Sequence, residues 1–152
     1  MHPFMHQISI TYRCAMRYRD HELEGTGLAG CHTPYLLTLY NHPGISQEEL
    51  AQRLHVNKSS VARQLSTLES EGYVRRESSH EDKRILLVYP TEKALALQDR
   101  IRTILRGWSS YLTDDFTDEE REQLSRLMIR IADRAEHYME GSDDPCAPSG
   151  SI

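Results

Sequence analysis

Apolar residues recur along most of this chain at spacings of three and four, the period of helices with one buried face. Met5, Ile8, Tyr12, Ala15 and Met16 mark an N-terminal helix that ends before Gly25-Thr26-Gly27. Pro34 to Tyr40 predicts a second, largely apolar helix, closed by Asn41-His42-Pro43-Gly44. Ser46 and Glu49 have the spacing of a capping box, so a third helix should start at Ser46 and run through Leu54, burying Leu50, Ala51 and Leu54. His55-Val56-Asn57 has room only for a turn, with Val56 inward and Asn57 capping the next helix. In that helix Val61, Leu65 and Leu68 form the buried side, and Gly72 supplies a left-handed residue at its end.

After Gly72 the period changes. Tyr73-Val74-Arg75-Arg76 and Ile85-Leu86-Leu87-Val88-Tyr89 are β-prone and flank the polar run Ser78 to Lys83, which predicts a hairpin with Arg84 at its tip. Thr91 then opens a long helix whose buried side is Leu97, Ile101, Ile104, Leu105, Trp108 and Leu112. Thr117 and Glu120 form another capping box, opening a final helix with Leu124, Leu127, Met128, Ile131, Ala135 and Tyr138 inward. Residues 141–152, rich in Ser, Asp, Pro, Ala and Gly, are expected to be a disordered tail.

With 152 residues the chain can build one substantial core. No apolar run approaches a membrane span, and Met1-His2-Pro3-Phe4 does not open a signal peptide. Cys14, Cys31 and Cys146 are odd in number and widely spaced, which argues against a disulfide framework and for a reducing cytoplasm. No nucleophile elbow, phosphate loop or His-Glu-x-x-His motif is present, so no enzymatic activity is expected. Glu24, Cys31, His32 and His42 would suit zinc if they converged, yet they lack the close spacing of a zinc site, and neither metal nor cofactor is expected.

The net charge of −5 weighs against a polyanionic partner. Its distribution changes the picture, because the acids concentrate from Asp114 onward. From Gly44 to Lys93 the signs balance, with Arg53, Lys58, Arg63, Arg75, Arg76, Lys83, Arg84 and Lys93 as cations, so that surface can be locally positive.

The segments PGISQEELAQRL and VNKSSVARQLSTLESEGYVRR, followed by Asp82-Lys83-Arg84, a strand and Thr91-Glu92-Lys93, carry a resemblance. From Leu28 to Lys93 the chain resembles the MarR family of winged-helix transcription regulators. Two positions depart from the family pattern: Pro90 stands where a leucine is usual, and Ala94 where a glycine is common. Pro90 is expected to end the strand early and stiffen the entry to the next helix.

The resemblance implies a mainly α fold with a small β-wing: a winged helix-turn-helix at about 34–93, flanked by dimerisation helices at about 5–24 and 91–140, in one domain of residues 1–140. It implies a homodimer whose two recognition helices meet double-stranded DNA ~34–36 Å apart, over a pseudo-palindromic operator. The function so implied is a sequence-specific repressor released by a small ligand or a redox signal. The alternative is a winged-helix module that binds protein and not DNA, which the acidic balance favours.

Site roles follow from this frame. Ser59, Ala62, Arg63 and Ser66 are expected on the major-groove face, with Arg63 reading guanine through its fork. Asn57, Lys58 and Ser60 should hold phosphates at the helix N-terminus. Arg84 should enter the minor groove, oriented by Asp82, whose carboxylate the phosphates would repel. Charged positions on one helix are ordinarily just a solvated face; the joint presence of turn, helix and wing favours DNA. The resemblance also implies an effector cleft for a small aromatic ligand near Tyr12, Tyr18, Arg19, Cys31, Tyr35 and Trp108, although aromatics at such places are more often core. Cys14, beside Arg13, Arg17 and Arg19, is the candidate oxidant sensor, against the alternative of an ordinary packed cysteine.

Overall fold

In the computed structural model, which describes residues 4–140, the helices of the central segment begin at side chains that cap them. The tail expected at 141–152, with Cys146, lies outside the described residues. Helix α1 spans Phe4–Glu22, and a single 3₁₀ turn, Gly30–His32, runs directly into α2 (Thr33–Asn41). Strand β1 (Ile45–Ser46) leads into α3 (Gln47–Arg53). Ser46 Oγ accepts from the Glu49 backbone N–H at 3.1 Å, satisfying one of the free donors at that helix end. The expected box is only half formed, because the Glu49 carboxylate turns to Arg53 at 3.1 Å.

The turn to α4 (Lys58–Ser70) passes through His55, which adopts a φ of 50°. Asn57 is extended and its side chain accepts from the Ser60 N–H at 2.8 Å. Val61, Leu65 and Leu68 are fully buried, as the spacing predicts. At the far end Gly72 takes a φ of 78°, which lets its N–H reach Glu69 O at 3.0 Å and the Tyr73 N–H reach Leu68 O at 2.8 Å.

The wing is a three-stranded antiparallel sheet. β2 (Val74–Ser78) pairs with β3 (Leu86–Pro90), Val74 opposite Pro90 and Ser78 opposite Leu86. β1 lies on the other edge of β3, Ile45 opposite Val88, and so adds a strand to the hairpin read from the sequence. Pro90 does not end the strand early. The Thr91 N–H bonds Tyr73 O at 3.0 Å, so Val74–Pro90 is the adjacent non-hydrogen-bonded pair, where no N–H is required.

Thr91 does open a helix, but the long helix is interrupted. α5 (Glu92–Ala96) stops at Leu97, and α6 (Gln98–Leu112) follows. Of the expected inner face, Ile101 and Ile104 are buried, Leu97 and Leu105 pack partly against the core, and Leu112 is exposed.

The chain divides into two compact units, Met1–Ser109 and Ser110–Ile152. The core of the first joins Leu23, Leu36, Leu50, Leu65, Val88 and Ile101 from successive elements. Tyr73, almost fully buried, donates from its hydroxyl to Thr26 O at 2.6 Å and ties down the loop after α1. The second unit is dominated by α7 (Asp118–Glu140), whose capping box is complete: Thr117 N–H to Glu120 Oε2 at 2.8 Å and Glu120 N–H to Thr117 Oγ1 at 3.2 Å. Leu124, Leu127, Met128, Ile131, Ala135 and Tyr138, expected inward, are exposed in the single chain. Periodicity identifies an apolar face; it does not say what covers it. No helix among the described residues is long and apolar enough to cross a membrane.

Candidate nucleic-acid interface

The N-terminus of α4 is where the sequence concentrates small polar and basic side chains. Asn57 Oδ1 accepts both the Ser60 N–H and the Ser59 hydroxyl, each at 2.8 Å. Those two donors are therefore engaged by the cap, as expected of Asn57, which leaves the Ser60 hydroxyl and the Lys58 side chain as the groups there that can meet an anion. Lys58 pairs with Glu48 of α3, both largely exposed. Such a surface pair is worth only about 0–1 kcal/mol, so a phosphate can displace the carboxylate. Ser59, Arg63 and Ser66 are exposed, and Ser60 and Ala62 partly so. Among the described residues Arg63 has no ion-pair partner; its fork is free.

On the wing, Arg84 is 90% exposed and is gripped by Asp82. Asp82 Oδ1 takes the Arg84 backbone N–H at 3.0 Å and Nε at 3.1 Å, and Oδ2 takes Nη2 at 2.9 Å. The guanidinium, helped by the backbone N–H, holds the Asp82 carboxyl below its usual range, so it stays ionised. A cleft of about 250 Å³ opens beside Gln47, Glu48, Lys58, Arg84 and Leu86, placing the two cations on a shared rim.

Other cations of the same surface are engaged locally. Arg53 pairs with Glu49, and Arg75 pairs with Glu77 while its guanidinium lies 4.2 Å from the Tyr89 ring centre. Arg76 reaches from β2 to Glu69 at 2.7 Å, to Ser66 Oγ at 3.2 Å and to Gln47 Oε1 at 3.5 Å. Ser66 is thus exposed on the helix face and at the same time a joint between helix and wing. Sequence reasoning missed Arg76, Glu69 and Gln47 in these supporting roles, since each partner lies on another element and no local spacing signals it.

The remaining candidates separate. Tyr18 stacks on Trp108, ring centres 4.9 Å apart. Tyr35 is buried in the core, whereas Tyr12 is 62% exposed and lies within electrostatic reach of Arg19. Arg19 is partly buried and its Nε has no hydrogen-bond partner among the described residues, with burial pulling its pKa down. Cys31 is exposed, yet desolvation of its thiol, and then Asp20, push its pKa up and favour the neutral form. Cys14 is exposed on α1 in the single chain. Among the described residues no three His, Cys, Asp or Glu side chains come together as a metal site. His32 shows why: Nδ1 accepts the Ala29 N–H at 3.0 Å, and Nε2 lies 3.0 Å from Gln64 Oε1.

The fold that carries this surface recurs in known proteins. The MarR family model matches residues 33–86. The chain is 27% identical over 140 residues to the uncharacterized HTH-type transcriptional regulator YybA of Bacillus subtilis (strain 168), covering 92% of this chain and 93% of that one. It is 31% identical to a MarR transcriptional regulator of Methanosarcina mazei Go1 whose crystal structure superposes with a TM-score of 0.81, over 88% of this chain and 96% of that one. A MarR family regulator of Listeria monocytogenes, solved in complex with 26mer DNA, superposes with a TM-score of 0.83 over 95% and 99% of the two chains; at 21% identity that likeness is one of fold.

Proposed function

This chain belongs to the MarR family of transcription regulators, DNA-binding proteins and not enzymes, and we propose that it is a homodimeric repressor acting on a pseudo-palindromic operator. The observation that carries the proposal is the free Arg63 fork on a capped α4, beside a wing whose Arg84 is held outward by Asp82. Arg63 reads guanine in the major groove, with Ser59, Ala62 and Ser66 beside it. Lys58 exchanges Glu48 for a phosphate, Asn57 and Ser60 supply further polar contacts there, and Arg84 enters the minor groove. Exposed apolar residues on the terminal helices, Met5 and Ile10 on α1 and Leu127, Met128 and Ile131 on α7, support dimerisation by mutual burial. Residues up to 140 then serve as one regulatory domain.

Release is assigned to a small aromatic effector taken up near the Tyr18–Trp108 stack, with Arg19, Cys31 and Tyr35 in its neighbourhood and Tyr12 at most a peripheral contact. Exposed Cys14 supports an oxidant as the other signal. A protein-binding winged helix is the second reading, favoured by the net charge of −5 and by the carboxylates that pair with Arg53, Lys58, Arg75, Arg76 and Arg84.

The test is a titration of the purified protein with its own upstream intergenic DNA and with a random duplex, across a salt series. Specific binding by a dimer that weakens steeply with salt is the expected result, because neutralised phosphates release counterions. Binding to protein partners with no selection of any duplex from a random library would establish the second reading.

A further inference from the structure

A line of hydrogen bonds joins α1 to the recognition helix through a buried histidine. On α1, Asp20 Oδ1 accepts the Gly30 N–H at 2.6 Å, fixing the 3₁₀ turn. Within that turn the Ala29 N–H points at His32 Nδ1, 3.0 Å away, so Nδ1 must carry a lone pair and the proton sits on Nε2. Nε2–H then donates to Gln64 Oε1 at 3.0 Å, on α4 and next in sequence to Arg63. His32 is only 4% exposed and Gln64 partly so, which makes the bond to α4 part-buried.

Resting on the DNA-reading proposal above, we infer that His32 is a positioning residue for DNA recognition: as a neutral imidazole it ties α4 to the corner between α1 and α2, and a proton taken up by the ring loosens α4 and weakens operator binding. The chemistry is one-sided. An imidazolium has N–H on both nitrogens, so protonation sets one N–H against the Ala29 N–H and abolishes the acceptor that the turn needs.

The charges around the ring oppose one another. Burial disfavours the imidazolium, while the Gln64 bond and the carboxylates of Asp20 on α1 and Glu71 beyond α4 favour it; burial prevails and the His32 pKa lies below 6.5. In the same turn the Cys31 thiol, and on α2 the Tyr35 phenol, are both pushed up and stay neutral; Arg63 of α4 lies within electrostatic reach of Tyr35. With a lowered pKa in the tied state, the tie is complete above 6.5 and is lost as pH falls through the lowered value.

The test compares wild type with His32→Gln and His32→Ala on a duplex selected by the wild type from a random library, between about pH 5.5 and about pH 8. Glutamine can accept from Ala29 and donate to Gln64 without titrating. The expected result is that His32→Gln binds like wild type at the upper pH, while at the lower pH wild type has weakened relative to it, by up to about tenfold. His32→Ala should bind weakly throughout. Superimposable pH profiles for wild type and His32→Gln would overturn the role. Histidine and amide NMR of the free wild-type protein is the companion measurement and needs no DNA: the α4 amides should shift with the His32 titration, and silence there overturns the tie even if a variant fails to fold. If wild type selects no duplex at any pH while the NMR coupling is present, the DNA reading has failed and the tie has not.

Discussion

Arg76 Nε and Nη2 both donate to Glu69 Oε2, at 3.1 and 2.7 Å, while Glu69 Oε1 takes the Arg76 backbone N–H at 3.1 Å. The first wing strand is therefore clamped to the recognition helix by one residue pair. With its arms to Ser66 and Gln47, Arg76 also fixes where α3 and α4 stand relative to the wing.

Replacing Arg76 by methionine should lower stability by about 1–2 kcal/mol, a figure reduced because Glu69 remains partly solvated. The Arg76 side chain holds the Glu69 carboxyl below its ordinary value, so its contribution is present above that value and lost as pH falls through the lowered one. Urea denaturation at neutral and acidic pH checks both statements. The gap between wild type and variant should narrow in acid.

Arg63→Ala should weaken operator binding by about 1–3 kcal/mol and relax the preference at one base position in each half-site. A binding selection from a random library reads this directly. An unchanged preference would remove Arg63 from the base-reading set.

At the wing tip, Arg84→Ala should reduce affinity more for operators with A·T-rich flanks than for those with G·C-rich flanks, since a narrow A·T minor groove attracts the guanidinium. Asp82→Asn should act in the same direction but less strongly, because the arginine remains while its bidentate grip is lost. Titrations on paired duplexes that differ only in the flanks supply the comparison.

Charges placed on the apolar face of α7, as in Leu127→Glu with Ile131→Glu, should convert the proposed dimer to monomers in sedimentation analysis while leaving the helical content of the chain largely intact. Both positions are exposed in the single chain, so no internal packing is lost. Operator affinity should fall steeply, because each monomer then engages one half-site alone.

Gly72→Ala should cost about 1–2 kcal/mol in thermal stability. A methyl group at that position meets only the Lys93 Cδ at 3.9 Å, so the penalty is one of backbone conformation at a φ of 78° and not of crowding.

By itself the sequence determined what is local: the helix starts at Ser46, Asn57, Thr91 and Thr117, the left-handed exit at Gly72 and the buried stripe Val61-Leu65-Leu68. Those features depend on side chains within four residues of the backbone groups they satisfy, and such distances are set by helix geometry alone. Only the tertiary structure decided the rest. β1 is too short to carry a pattern and exists because β3 offers its free edge. The break at Leu97 leaves no mark in a continuous helical period. The clamp between Arg76 and Glu69 and the tie between His32 and Gln64 join residues on separate elements, where chain folding and not spacing creates the contact. The apolar face of α7 is legible as a face, but a periodic pattern reports burial without naming the partner, so a single chain leaves it open to solvent.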